Sequence, residues 1–290
     1  MKKSVCILVT ILSLGTVFNA CKKTEDTPHS NPTGTFFQDA AYISSDAAVV
    51  SGKIVKVGLN FKWNGLDSLK TLKIYVNETQ SGESFALTEG QGKDYSMNIN
   101  ITKSQNPTEK WTFEMTDAGN QSVSLTLTLT KDATGGAIFV RNDVSLGAQS
   151  NTTVGSLYAP STNTVFALAD AASNQAVIDI ICGYDATNAT FLSCPGANNL
   201  SGTYNFSTWT TKNVTYYNIS TLSAEQFDLI DSDKLIIPAF NGSTQSKAKA
   251  LAVGNIFALK TISGKYGLLK IKTVNTNATG SVTFDLKIQQ

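Results

Sequence analysis

Ser122-Val123-Ser124-Leu125-Thr126-Leu127-Thr128-Leu129-Thr130 carries an apolar side chain at every second position. Successive side chains of a strand leave on opposite faces, so this spacing gathers valine and leucine on one face and hydroxyls on the other. A helix would scatter the same residues around its whole circumference. The run therefore reads as an antiparallel strand with one buried and one wet face. Composition extends the reading to the rest of the chain: charged residues make up only 16%, and Thr, Ser and Asn alternate with branched apolar residues throughout.

The neighbours repeat the pattern. Lys110-Trp111-Thr112-Phe113-Glu114-Met115, Tyr95 to Ile101, Leu69 to Val76 and Ile54 to Trp63 all alternate, and Asn64-Gly65 supplies a turn between the last two. Short strands broken by Gly, Asn and Pro at this spacing predict a β-sandwich. The turn Thr116-Asp117-Ala118-Gly119-Asn120 resembles the final hairpin of bacterial immunoglobulin-like domains. The resemblance implies an immunoglobulin-like fold for residues 35–142.

Residues 143–290 read as a second β-sandwich with one or two short helices. Val165 to Ala172 is rich in Ala and Leu, and Ser223 stands three residues ahead of Gln226 in a capping box. A further helical turn is expected around Thr244, including Ala248 to Leu251. Strands follow at Ile256 to Thr261, Gly264 to Val274 and Gly280 to Ile288. Val177 to Ile181 and Phe257 to Ile271 resemble the C-terminal domain of uncharacterised Bacteroidetes lipoproteins, a group with no catalytic residues to carry over. The fold class expected is all-β, two sandwich domains in tandem.

At the N-terminus, Met1-Lys2-Lys3 precedes the apolar run Val5 to Phe18, which is short for a bilayer span and reads as an export signal over residues 1–20. The run closes on Ala20-Cys21, an arrangement that resembles the lipobox of bacterial lipoproteins. The resemblance implies cleavage before Cys21 and its acylation, with more than one chain as stable anchoring requires. The alternative is a plain cleaved signal. Residues 21–34 then form a polar tether, and Lys22 with Glu25-Asp26 resembles the short export signals of Bacteroidetes surface lipoproteins. The expected location is the outer membrane, facing outward.

Loss of Lys2 and Lys3 with the signal takes the formal charge from +1 to −1. That balance offers no field for nucleic acid. The sole histidine, His29, lies in the tether, which removes Ser-His-Asp and histidine-zinc chemistry. No P-loop or dinucleotide motif is present, and no cofactor or metal is expected. Cys182 and Cys194 flank a hairpin expected near Asn188; a disulfide and two buried free thiols both stay open. Asp39, Glu114, Asp179 and Asp285 are the carboxylates weighed for glycosidase chemistry, and Asp228, Asp231 and Asp233 for calcium; solvated acids are the plainer reading of both sets. Asp67-Ser68-Leu69 resembles the Bacteroidetes O-glycosylation signal. Trp209, Tyr216 and Tyr217 sit among Thr, Asn and Ser and are the candidate ligand-binding aromatics, whereas Trp63 and Trp111 suit a core. The expected function is a lipid-anchored, non-catalytic surface binding or adhesion module, for a glycan or a surface protein, or an accessory of an uptake complex. A carboxylate-dependent glycoside hydrolase and an envelope spacer are the alternatives.

Overall fold

The computed structural model describes residues 30–88, 92–198, 200 and 202–290, with backbone alone at Gly82 and Glu83. The export signal, Cys21 and His29 lie outside the described residues.

Eight strands build the first sandwich: β1 (Thr33–Phe36), β2 (Ala47–Val49), β3 (Ile54–Lys62), β4 (Leu69–Val76), β5 (Thr79–Ala86), β6 (Asp94–Thr102), β7 (Thr108–Asp117) and β8 (Ser122–Lys131). One sheet runs β1-β3-β6, and the other β2-β8-β7-β4-β5. All pairings are antiparallel except that of β2 with β8. The chain crosses between the two sheets at every connection except the β4–β5 and β7–β8 hairpins, and the two sheets form a β-sandwich. The alternating run forms β8, where Leu127 and Leu129 are fully buried against Phe113, Leu72, Leu59 and Phe61. Asn64-Gly65 does turn, with Gly65 at φ 92. It joins strands of opposite sheets, because β3 pairs with β1 and β6 while β4 pairs with β5 and β7. Asp117 ties that turn to the β7–β8 hairpin, accepting from Asn64 Nδ2 at 3.2 Å and from the Gln121 amide at 2.8 Å.

The second sandwich comprises β9 (Ile138–Gly147), β10 (Leu157–Ala159), β11 (Thr164–Phe166), β12 (Ile180–Asp185), β13 (Ala189–Ser193), β14 (Thr215–Ile219), β15 (Ile256–Thr261), β16 (Tyr266–Asn275) and β17 (Ser281–Gln289). Its sheets run β14-β15-β16-β17-β9 and β11-β10-β12-β13. Between them lie Tyr158, Ile180, Cys182, Leu192, Leu269 and Phe284. Because Ile138 already pairs with Gln289, the division between sandwiches falls before Ile138 and not at residue 143. Asn142-Asp143 imitates a turn in the sequence. In the fold it forms a bulge, with Asp143 at φ 56 and its amide donating to Asp285 Oδ1 at 2.9 Å.

Among the described residues three short α-helices accompany the strands, α1 (Leu168–Ala171), α2 (Ala224–Leu229) and α3 (Ile236–Ala239), and a 3-10 turn (Ala172–Asn174) follows α1. The capping box is present in both directions, Ser223 Oγ accepting from the Gln226 amide and Gln226 Oε1 from the Ser223 amide, each at 3.1 Å. The helical turn expected at Thr244–Leu251 is absent. That stretch is extended, and Ala248 exchanges both backbone hydrogen bonds with Leu192, a cross-chain pairing stronger than local alanine propensity. Helix α3 contains Pro238, which hides it from a propensity reading. Among the described residues no helix is long and apolar enough to cross a membrane.

The loop between β6 and β7 holds a buried ion pair. Lys103 Nζ lies 3.0 Å from Glu109 Oε1 and donates also to the carbonyls of Ser104 and Asn106. Burial alone would raise the Glu109 pKa, but donors from Ser104, Lys103 and Trp111 hold it below the ordinary carboxylate value. Removing one partner leaves the other as an uncompensated buried charge, so Glu109→Ala is expected to lose about 3–5 kcal/mol in urea unfolding. A depressed carboxylate stabilises above its unfolded pKa and loses that contribution as pH falls through the folded value. The gap between wild type and variant should therefore narrow on acidification below about pH 4.5; a gap independent of pH contradicts this account.

Candidate functional site

The β12–β13 hairpin points one face into the sandwich and the other outward. Ile181 and Phe191 lie on the outer face, and Leu200, Tyr204, Phe206 and Trp209 are buried against them. Gly183 makes room for this layer: a Cβ there would stand 2.6 Å from Phe191 Cζ. Tyr204 and Phe206 stack with centroids 5.4 Å apart, and Phe206 meets Trp209 at 4.5 Å. The Tyr204 hydroxyl donates to the carbonyl of Cys182, fixing the layer to the strand beneath.

Above the aromatic layer opens a groove of about 780 Å³, with Tyr204 and Phe206 in its floor and Asn198, Thr203, Asn205, Ser207 and Lys212 around it. Lys212 supplies its charge. Gly196 lets the two ends of the loop meet, since a Cβ would lie 2.7 Å from the Lys212 carbonyl. The arrangement presents amides and hydroxyls around an apolar floor, the mixture that orients a polar ligand in a cleft.

The candidate aromatics take other places. Trp209 is 8% exposed and closes the aromatic layer from the side. Tyr217 is fully buried, its hydroxyl donating to the Ser193 carbonyl at 3.0 Å, and Tyr216 is half-buried on the opposite face of β14, across from Lys260. These three form no common surface, because large rings gain most by burial when their polar tips find partners. Tyr204 and Phe206 were missed. Their signal is the spacing Tyr204-x-Phe206-x-x-Trp209, too irregular for either strand or helix.

Cys182 and Cys194 are free and buried. Leu192, not Cys194, stands opposite Cys182, since the hairpin centres on Thr187, one residue earlier than the sequence suggested. A one-residue shift in the centre of a hairpin displaces the paired residue by two, so the disulfide is not formed and the alternative of two free thiols is the one observed. Burial pushes the Cys182 thiol up to about 12 and that of Cys194 to about 11.

The acids disperse. Asp39 caps a turn through the Ala41 amide, and Glu114 faces Lys73 and Ser124 on neighbouring strands. Asp285 pairs with Lys270 and Lys272, and Asp228 with Lys270. Asp231 binds Lys131 and Ser51, while Asp233 accepts from the Gly136 amide and Gln289. Among the described residues no three His, Cys, Asp or Glu side chains are grouped to hold a metal ion. Ser68 of Asp67-Ser68-Leu69 is exposed just ahead of β4.

No family model and no curated protein matches the sequence. Among solved structures the chain is similar to a DUF4466 family protein from Parabacteroides merdae, at 13% identity and a TM-score of 0.40, covering 91% of this chain and 100% of that one. It is similar also to fibronectin(III)-like modules of Clostridium thermocellum CbhA, at 9% identity and a TM-score of 0.24, covering 88% and 92%.

Asp179 has no basic partner among the described residues. Its Oδ1 accepts from Asn213 Nδ2 at 3.0 Å, and burial pushes its pKa up to about 6 against that hydrogen bond. A carboxylate whose folded pKa is raised gains relative stability as pH falls from the folded toward the unfolded value. Asp179→Asn keeps an acceptor for Asn213 and removes the cost of a half-buried charge. At pH 7.5 the variant is expected to be more stable by about 1–2 kcal/mol, with the difference closing as pH falls from about 6 to about 4. Thermal unfolding across pH measures it, and a variant less stable than wild type at pH 7.5 contradicts the assignment.

Proposed function

We propose that this chain is a non-catalytic binding module, carried at the cell surface by acylated Cys21, and that the groove over residues 195–212 receives a polyhydroxylated ligand such as a glycan. The groove itself carries the reading. Its size suits an oligosaccharide segment. Asn198, Asn205, Thr203 and Ser207 offer both donors and acceptors to hydroxyls, and the edges of Tyr204 and Phe206 offer apolar contact to sugar C–H faces. The ion pairing of Asp228 and Asp285 with lysines favours a binding module over a glycosidase, which needs one carboxyl protonated and a second ionised across the scissile bond. An envelope spacer is the second reading, supported by the polar contacts that join the two sandwiches.

The test is a polysaccharide and surface-protein binding screen with the chain freed of its anchor. Asn198 and Lys212 are both exposed, so Asn198→Ala with Lys212→Ala is expected to leave stability within about 0.5 kcal/mol at each site. Affinity for the retained ligand should fall at least about tenfold, or about 1.4 kcal/mol. Equal binding by the double variant rejects the groove, and silence across the screen favours the spacer. The anchor has its own test: Cys21→Ser should move the protein from the membrane fraction to the soluble fraction and remove acyl mass from the N-terminal peptide.

A further inference from the structure

The second sandwich also holds a cavity of about 140 Å³, lined by residues other than those of the groove. Pro160 and Ile288 are buried in its wall beside half-buried Phe139, and exposed Ser263 and Lys265 stand at its mouth. Asp179 completes the wall. Several other polar groups there are already engaged. Thr261 and Ser263 share a hydrogen bond at 2.8 Å, and the Gln289 amide accepts from the Tyr266 backbone and donates to Asp233. Lys265 Nζ donates to the Gln290 carbonyl.

Asp179 Oδ2 differs from all of these. Only Oδ1 has a partner, and no ion pair reaches the carboxylate among the described residues. Oδ2 is not a sealed orphan either, since the one fully buried side-chain polar atom without a partner among the described residues is Arg141 Nε. Asp179 lines the cavity, and Oδ2 keeps an open acceptor there. A carboxylate in an apolar-walled space without a counter-cation costs stability, and such a cost is characteristic of a ligand site. The missing complement is a compact cation with several donors and a short apolar body.

We propose that this cavity binds a small primary monoamine, its ammonium donating to Asp179 Oδ2 and its alkyl chain lying against Phe139, Pro160 and Ile288. Selectivity follows from the other charges present. Lys265 at the mouth and Arg141, whose guanidinium sits 4.4 Å from the Phe139 ring centroid, both disfavour a second positive charge on the ligand. Cys194 and Tyr217 also face Asp179, and with their pKa values raised they stay uncharged at neutral pH. Asp179 is thus the group whose titration governs binding. Amine affinity should fall as pH drops through about 6, the value to which burial raises its carboxyl.

The experiment titrates n-propylammonium chloride into the full chain by NMR at pH 7.5 and pH 5, with n-propanol as the neutral isostere and 1,3-diaminopropane as the dication. Expected are saturable shifts at Phe139 and Ile288 with propylammonium, at least tenfold weaker binding at pH 5, and weaker binding of the diamine and of propanol. Asp179→Asn should lose the response while its unfolding temperature stays at or above that of wild type, which separates lost binding from lost fold. Retained binding in Asp179→Asn, equal binding of propanol, or no shift at any concentration to 100-fold excess overturns the proposal. The double variant Asn198→Ala with Lys212→Ala should bind the amine unchanged, so the result is independent of the groove.

Discussion

The ammonium of Lys287 sits under the C-terminal end of α2 and donates to the carbonyls of Phe227, Asp228 and Ile230 at 2.7, 2.9 and 2.6 Å. Helix ends leave carbonyls without internal partners, and a helix of six residues has almost no interior to offset them. One lysine supplies three donors and a positive charge where the helix terminus is negative. Burial lowers its pKa despite the nearby Asp228. Because Lys287 belongs to β17, the central partner of both β9 and β16, the helical segment is fixed to the most thoroughly paired strand of the second sandwich.

The same segment reaches across to the first sandwich. Gln226 Nε2 donates to the Gly52 carbonyl at 3.0 Å, Ser51 Oγ to Asp231 at 3.1 Å, and Gln105 Nε2 to the Leu229 carbonyl at 3.2 Å. Lys131 pairs with Asp231, and Lys234 with Asp132. Gly52 permits the approach: it sits at φ 84, and a Cβ would stand 2.7 Å from the Gln226 carbonyl. The junction thus includes several directional polar contacts. Lys287 holds one side of a strut whose other side sets the orientation of the two bodies.

Much of the fold was legible because burial writes a period of two into β3, β4, β7, β8 and β17, and because the Ser223–Gln226 capping box is a local device read without tertiary knowledge. What escaped depended on partners far away in sequence. The bulge at Asn142-Asp143 looks like a chain reversal until Asp285 is seen to occupy its amide. Ala248 looks helical until Leu192 claims its backbone. The cysteine pairing turned on a one-residue difference in where a hairpin closes, which the three-residue loop Ala186-Thr187-Asn188 does not advertise; there Asp185 Oδ1 accepts from the Thr187 and Asn188 amides.

The candidate site was less legible for a related reason. Trp209 and Tyr217 are the residues a search for binding aromatics selects first, and the same size that makes them good contact surfaces makes them valuable inside. Exposed recognition surfaces are left to side chains that the core cannot use, the amides and hydroxyls of an aperiodic loop, and these have no pattern to detect. A carboxylate reverses the logic. Inside an alternating strand its absence of partners is invisible in the sequence, since Asp179 reads like any solvent-facing acid between apolar neighbours. Only the packing reveals that Asn213 satisfies one oxygen, that Lys265 serves the Gln290 carbonyl, and that Asp179 lines a space bounded by Phe139 and Ile288. A charge that the fold surrounds without neutralising is stabilised by whatever brings the opposite charge, and in that respect Asp179 differs from Asp228, Asp231 and Asp285, whose lysine partners are already in the chain.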